Sequence, residues 1–345
     1  MKGAINLNVP LPKIPKGPEL FLIIVTSFSH RSLQNREILR KTFLKNLPST
    51  ISYKFFVGDK YCRIPTKIRD QSIHKCPNCD CRFKKNYLQK FTYYESSFRD
   101  SNLDRMIEQI KNEKAEYKDV EILDLIDTYH NLTLKVKSGF RFAVNHENKN
   151  GQLKWVAKID DDSILVLEIL IKFLKNRYPI EKYPNLYLGI MKTNQTIRSQ
   201  QKDNTKITQK WEEMIYKGKS LIDPVYPTYA RGPFYLLSFD LAKFIDLNFD
   251  QLENYTCEDA AVGIWLDSFS EKKKINYVDE SRIGIEADTH KRLNDLTEHR
   301  KYVIEHCRNL GHEASKIYCL GHNFDWMEIR RCYVDFVANF HGSKI

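Results

Sequence analysis

Apolar and polar positions fall in blocks that switch between strand and helix periods along the chain. Residues 21–26 (FLIIVT) form a continuous β-favouring run, too short for a membrane and typical of a strand covered on both faces. In residues 35–46, Ile38, Leu39, Thr42 and Phe43 fall at helical spacing, with Arg36 and Arg40 one turn apart. Residues 53–57 read as a second strand, and residues 60–85, poor in apolar pairs and rich in Cys, Pro and basic residues, as a surface excursion. A helix over 103–114, a strand over 120–125 and a helix over 129–145 follow, and then a strand over 155–159 runs directly into Asp160-Asp161-Asp162. Residues 165–176 are again apolar at helical spacing. This βαβα order predicts an α/β fold with a central, mostly parallel sheet flanked by helices.

Beyond residue 186 the pattern loosens. It predicts strands over 186–190 and 234–238, a helix over 258–266, a short apolar piece at 317–320 and a final helix over 326–340. Neither an internal repeat nor a low-complexity linker interrupts the chain, so a single domain over 19–345 is the economical reading. Residues 1–18, with Pro10, Pro12, Pro15 and Pro18, read as an extended lead-in.

Composition changes the picture in three ways. A net charge of +11 over 345 residues favours an anionic partner, which nucleic acid, a membrane surface or a phosphorylated small molecule would each satisfy. No stretch approaches the roughly 18–20 apolar residues of a membrane span, so the chain as given reads as soluble, with room for a native anchor upstream. The eight cysteines and three Asn-X-Thr triplets, at Asn131, Asn194 and Asn254, together point to a disulfide-forming, secretory environment. The Cys76-Pro77-Asn78-Cys79-Asp80-Cys81 cluster is half of a zinc site with no second CxxC to complete it, so disulfides within it or to Cys62 are the better reading.

The chemistry concentrates at two acidic segments. Out of context, Asp160-Asp161-Asp162 is a solvated turn. At the carboxyl end of a buried parallel strand, where open α/β sheets bind ligands, three carboxylates repel unless a cation or donor neutralises them. A hard divalent ion is the natural partner, and it would neutralise the charge on a departing nucleotide diphosphate. If the reaction inverts a sugar carbon, a separate carboxylate must take the proton of the attacking hydroxyl, and Glu258-Asp259 supplies one.

Several segments carry a family pattern in order. Asn35 to Phe43 resembles RRxxIRxTW, with Asn35 in place of the first Arg and Phe43 in place of Trp. Tyr117-Lys118-Asp119-Val120 followed by Asp127-Thr128-Tyr129-His130-Asn131-Leu132-Thr133-Leu134-Lys135 resembles yeDil…DsYxNLTlKt, and Lys158 to Asp162 resembles KxDDD. Arg198 and Lys210-Trp211 fit the loop before the acceptor site. Tyr226 to Ser238 resembles YPpYxsGggYvlS, with Pro233 and Phe234 where glycines are usual, and Glu258 to Gly263 resembles EDVxvG. Leu320-Gly321-His322 resembles a late vH element. Together these segments resemble the β-1,3-galactosyltransferase family, glycosyltransferase family 31, over most of the chain.

The resemblance implies a GT-A fold, with a nucleotide-binding half over 19–162 and an acceptor half over 163–340. It implies an inverting hexosyltransferase that moves galactose or an N-acetylhexosamine from a UDP-sugar to an acceptor glycan of a glycoprotein or glycolipid, forming a β-1,3 linkage. Asp259 becomes the catalytic base. Asp162 and His322 become ligands of Mn²⁺, and Asp160 or Asp161 contacts the ribose or a metal-bound water. Arg36, Arg40, Lys135 and Lys158 would surround the diphosphate, although internal ion pairing is the plain alternative for each. Tyr229, Gly232 and Glu258 fall in the acceptor site, and the Golgi lumen is the implied compartment. Two other classes compete: an inactive relative that binds glycans or partners, and a basic zinc-containing nucleic-acid binder, which only the charge and the Cys cluster suggest.

Overall fold

The computed structural model describes residues 17–64, 69, 81, 100–148, 151–165, 167–197, 216–218, 224–280 and 319–321. A seven-stranded sheet runs through them in the order β3-β2-β1-β4-β7-β6-β8. Its strands are β1 (Leu20–Val25), β2 (Ile51–Lys60), β3 (Val120–Ile126), β4 (Trp155–Asp160), β6 (Leu186–Lys192), β7 (Tyr229–Ser238) and β8 (Asn276–Asp279). Parallel pairing joins β3, β2, β1 and β4, and also β6 and β8, while β7 alone runs against both of its neighbours. Two short strands, β5 (Ile164–Leu165) and β9 (Cys319–Gly321), form a separate antiparallel pair.

Helices cover both faces, which explains why β1 is apolar at every position and wholly buried. Leu20, Leu22 and Ile24 of β1 pack with α1 (His30–Lys41), α2 (Ser101–Tyr117) and α4 (Leu167–Arg177). Phe21, Ile23 and Val25 pack on the opposite face with α3 (Leu132–Phe142), α5 (Phe239–Leu247) and α6 (Glu258–Ser270). Burying each such Leu, Ile or Phe stabilises the fold by roughly 1.5–3 kcal/mol relative to exposure. On β4, Ala157 and Ile159 share the α1 face, so Lys158 and Asp160 fall on the α6 face.

Three elements differ in extent from the sequence pattern, and two more lie outside it. Helix α1 starts at His30 because the Ser29 side chain accepts from the Ser32 N–H and caps it ahead of the apolar spacing. The helical run over 129–145 divides into a 3₁₀ turn (Tyr129–Asn131), α3 and a π-turn (Ala143–Glu147). Strand β7 starts at Tyr229, well before Pro233, and α5 and β8 were not predicted at all. The proposed lead-in lies outside the described residues apart from its last two positions, and the terminal helix over 326–340 lies wholly outside them. Among the described residues no helix is long and apolar enough to cross a membrane.

Candidate active site

Strand β4 ends at Asp160, and the alternation of its side chains divides the acidic trio between the two faces. Asp161 turns toward α1, accepting from Thr26 Oγ1 at 2.6 Å and from Asn35 Nδ2 at 3.3 Å. Burial and the neighbouring charge of Asp162 push its carboxyl up to about 6, against the hydrogen bonds from Thr26, Ser32 and Asn35. Asp160 turns the other way and accepts from Lys158 Nζ at 2.6 Å. Asp162 faces the Arg31 guanidinium at the longer distance of 3.7 Å.

Beside β4, the start of β7 carries a large bulge. Gly189 of β6 pairs with Tyr235, yet Met191, only two residues on, pairs with Ala230, so Arg231, Gly232 and Pro233 lie in excess of the ladder. Bulges re-aim backbone groups, and a Pro is tolerated in one because no ladder N–H is required of it. Here the freed Gly232 N–H donates to Asp259 Oδ2 at 3.1 Å, and the Gly232 carbonyl accepts from Lys158 Nζ at 2.6 Å. A side chain at position 232 would stand 3.6 Å from Glu258 Oε2 and 3.7 Å from Asp259 Oδ2, filling the space before both carboxylates.

Helix α6 presents those carboxylates from its first turn, where the positive end of the helix dipole favours them. Its close approach to β7 needs Gly263, because a Cβ there would come within 2.7 Å of Tyr229 Cβ. Asp259 is half-buried, and its Oδ1 accepts from the Ala260 N–H at 2.8 Å. Burial raises its carboxyl above the ordinary range, opposed by the Ala260 N–H, Lys158 and the Gly232 N–H. A carboxylate so raised, yet held in place by two backbone donors, is a stronger proton acceptor than an exposed aspartate. Glu258 is buried, accepts from the Tyr235 hydroxyl, and stands 3.2 Å from Lys158 Nζ. Burial pushes it up to about 7 against the pull of Lys158, with Asp259 adding to the rise.

The four cations expected around a diphosphate all sit in internal bonds. Arg36 is fully buried, doubly bonded to Glu113 at 2.8 Å, and donates to Thr26 Oγ1 at 2.9 Å. Arg40 pairs with Asp119 and Glu113, each at 2.7 Å, and stacks on Tyr117. Lys135 donates to the Thr26 carbonyl at 2.6 Å and to Asp127 at 2.8 Å. Lys158, 1% exposed, is spent on Asp160, Gly232 and Glu258. In each case a carboxylate of the same chain supplies the counter-charge that a buried cation requires.

His322 and Arg198 lie outside the described residues. Among the described residues no three His, Cys, Asp or Glu side chains converge as a complete metal shell. The donor set nevertheless suits a hard divalent ion, which in phosphate sites commonly takes one or two carboxylates and draws other ligands from substrate phosphates and water.

A family model described as galactosyltransferase matches residues 96–277, just over half of the chain. The chain belongs to the galactosyltransferase family. The α/β sheet with helices on both faces agrees with a GT-A glycosyltransferase fold. Among similar proteins, a human UDP-GalNAc:beta-1,3-N-acetylgalactosaminyltransferase 2 is 30% identical over 48% of this chain and 29% of its own length. Two Arabidopsis thaliana proteins, a probable beta-1,3-galactosyltransferase 5 and a beta-1,3-galactosyltransferase 7, are 33% and 32% identical over 53% of this chain and over 42% and 44% of their own lengths. The chain therefore spans less than half of the length of these relatives. The matched stretch includes β4, β7 and α6, and so both acidic segments of this family member.

The fold thus brings Asp160, Lys158, Gly232, Glu258 and Asp259 into one bonded group, with Asp161 and Asp162 on the adjoining turn. Tyr229 stands at the head of the bulged strand, its ring edge-on to Tyr226 at 5.9 Å. Sequence reasoning missed Thr26, Arg31 and Tyr235. Thr26 carried a signal, being the polar residue that ends the apolar run of β1. The Cys62–Cys81 disulfide closes part of the excursion after β2.

Proposed function

We propose that this chain is an inverting, metal-dependent hexosyltransferase that moves galactose or an N-acetylhexosamine from a UDP-sugar to a hydroxyl of an acceptor glycan. The single observation that carries this reading is the placement of Asp259. Its carboxylate is fixed by the N–H groups of Gly232 and Ala260 and linked through Gly232 and Lys158 to the acidic end of β4.

UDP lies against the carboxyl ends of β1 and β4, where open α/β sheets bind ligands. Asp162, together with His322, is the residue to hold Mn²⁺, and that ion supplies charge neutralisation to the departing diphosphate. Asp160 and Asp161, pinned by Lys158 and Thr26, offer carboxylate oxygens to the ribose hydroxyls. Asp259 takes the proton of the acceptor hydroxyl as its oxygen bonds to the anomeric carbon. The bond from that carbon to the UDP oxygen breaks on the opposite side, which inverts the carbon. Tyr229 and the open face of Gly232 border the acceptor. Arg36 and Arg40 brace α1 against α2 and β3 in this reading and bind no phosphate.

The names of the relatives, a beta-1,3-N-acetylgalactosaminyltransferase and a probable beta-1,3-galactosyltransferase, support a β-1,3 linkage here. The disulfide supports an oxidising compartment, and we place the protein in the Golgi lumen. The test is UDP release from UDP-galactose, UDP-N-acetylgalactosamine and UDP-N-acetylglucosamine, with aryl galactoside and aryl N-acetylglucosaminide acceptors, in Mn²⁺ or EDTA. One donor should release UDP in Mn²⁺ and lose that release in EDTA. No release from any donor would overturn the reading.

A further inference from the structure

We propose that Lys158 is a positioning residue that sets the Asp259 base in register with the donor-side carboxylates. This inference rests on the reading of Asp259 as the base. The Lys158 ammonium has three N–H donors and three acceptors, Asp160 Oδ1 at 2.6 Å, the Gly232 carbonyl at 2.6 Å and Glu258 Oε2 at 3.2 Å. It is 1% exposed, so no donor remains for a phosphate.

The three acceptors belong to three different parts of the fold: the end of β4, the bulge of β7 and the first turn of α6. Two of them lead directly to Asp259. Gly232 accepts from Lys158 through its carbonyl and donates its own N–H to Asp259. Glu258 precedes Asp259 in the chain, and its other oxygen is held by Tyr235. The third, Asp160, belongs to the donor-side trio. A buried charge is retained only where it is well paired, and burial opposes the charge on Lys158 while Asp160 and Glu258 restore it above the ordinary lysine range. The β4–β7 register ends at Ile159 and Phe234, and beyond that pair this ammonium bonds the bulge to β4. The group therefore spans the gap across which donor carbon and acceptor oxygen must meet, and a misplacement of about 1 Å there costs about 100-fold in rate.

Two rates measured on the same protein test this: UDP release with acceptor, and UDP release to water without it. Lys158→Met keeps the length and removes the charge, and it should lower the ratio of transfer to hydrolysis by about 100-fold. A residue that served stability alone would scale both rates by the folded fraction and leave the ratio at the wild-type value, and that result overturns the proposal. Glu258→Gln is nearly isosteric and should lower the ratio in the same direction by a smaller factor; it carries the test if Lys158→Met does not fold, and an unchanged ratio there is equally fatal. Asp259→Asn run alongside separates the two readings. If it leaves transfer intact, the base assignment fails. If it abolishes transfer while the Lys158 and Glu258 variants keep the wild-type ratio, only the positioning role fails.

Discussion

Replacing Asp259 by Asn removes a proton acceptor while changing almost nothing in volume, and the surrounding bonds allow the consequence to be worked out. In the native chain Oδ1 accepts from the Ala260 N–H and Oδ2 from the Gly232 N–H. An amide offers one oxygen, so one of those donors faces an NH₂ group instead and its hydrogen bond is lost. That loss costs about 0.5–1.5 kcal/mol of stability, and removing a half-buried charge offsets part of it. The fold should therefore survive with a small drop in melting temperature. Catalysis should not: general-base assistance is worth about 10²–10⁴-fold, equivalent to about 3–5 kcal/mol of the activation barrier. Because a base acts on the acceptor hydroxyl in the transition state, ground-state UDP affinity should stay within about 2-fold. The assay is UDP release at saturating donor and acceptor in Mn²⁺, with calorimetric titration of UDP and a melting curve on the same preparation. A well-folded Asp259→Asn protein that binds UDP normally and keeps more than about a tenth of wild-type transfer would refute the assignment.

Asp162→Ala should weaken Mn²⁺-dependent UDP binding as well as turnover, and an unchanged UDP affinity by calorimetry would remove Asp162 from the metal site. Arg36→Ala leaves the buried Glu113 with Arg40 alone, and unfolding by denaturant should show a loss near the lower end of about 3–5 kcal/mol, with UDP affinity of the folded protein little changed. Glu258 titrates at about 7 in the folded protein against an ordinary 4.5, so the folded form holds its proton more tightly than the unfolded chain. Its contribution is complete below about pH 4.5 and is lost as pH rises toward about 7. Asp161 and Asp259 shift in the same direction, so the informative measurement is the difference in melting temperature between wild type and Glu258→Gln. That difference should change between about pH 5 and 7 and level off above, and a flat difference would contradict the buried placement of the carboxyl.

The elements legible in the sequence were those whose burial is written in adjacent residues. Strand β1 reads as a strand because both of its faces are covered, and α3 because its apolar side meets β1 and α5. Helix α5 was missed because it follows β7 directly, so two elements read as one apolar stretch. Strand β8 was missed because its four residues alternate between half-buried and exposed at the edge of the sheet. The acidic segments were legible for a different reason, since carboxylates at a strand end and in the first turn of a helix carry their local context with them. The cations do not. Nothing near Arg36 announces Glu113, 77 residues away, or tells a buried ion pair from a phosphate ligand. Nor does sequence reveal the β7 bulge, because its excess residues are defined only by what β4 and β6 place opposite them.

That bulge bears on the departures from the family pattern, which could be read as the decay of an inactive relative. Phe43 stands where Trp is usual, and it is buried in the core beside Ile38 and Leu39, where a smaller aromatic ring still fills apolar space. Phe234 replaces a glycine, yet it is the first residue of β7 in register with β4, opposite Ile159, and its side chain enters the same core. Pro233 replaces another glycine at a position in excess of the ladder, where its missing N–H costs no ladder hydrogen bond. Gly232, the one position of that stretch whose backbone N–H and carbonyl both serve the site, is kept as glycine, and so are both carboxylates of α6. Burial raises both carboxyls, and titratable groups so perturbed cluster at functional sites. The substitutions fall instead on packing and on the bulge, a distribution that supports the proposed function.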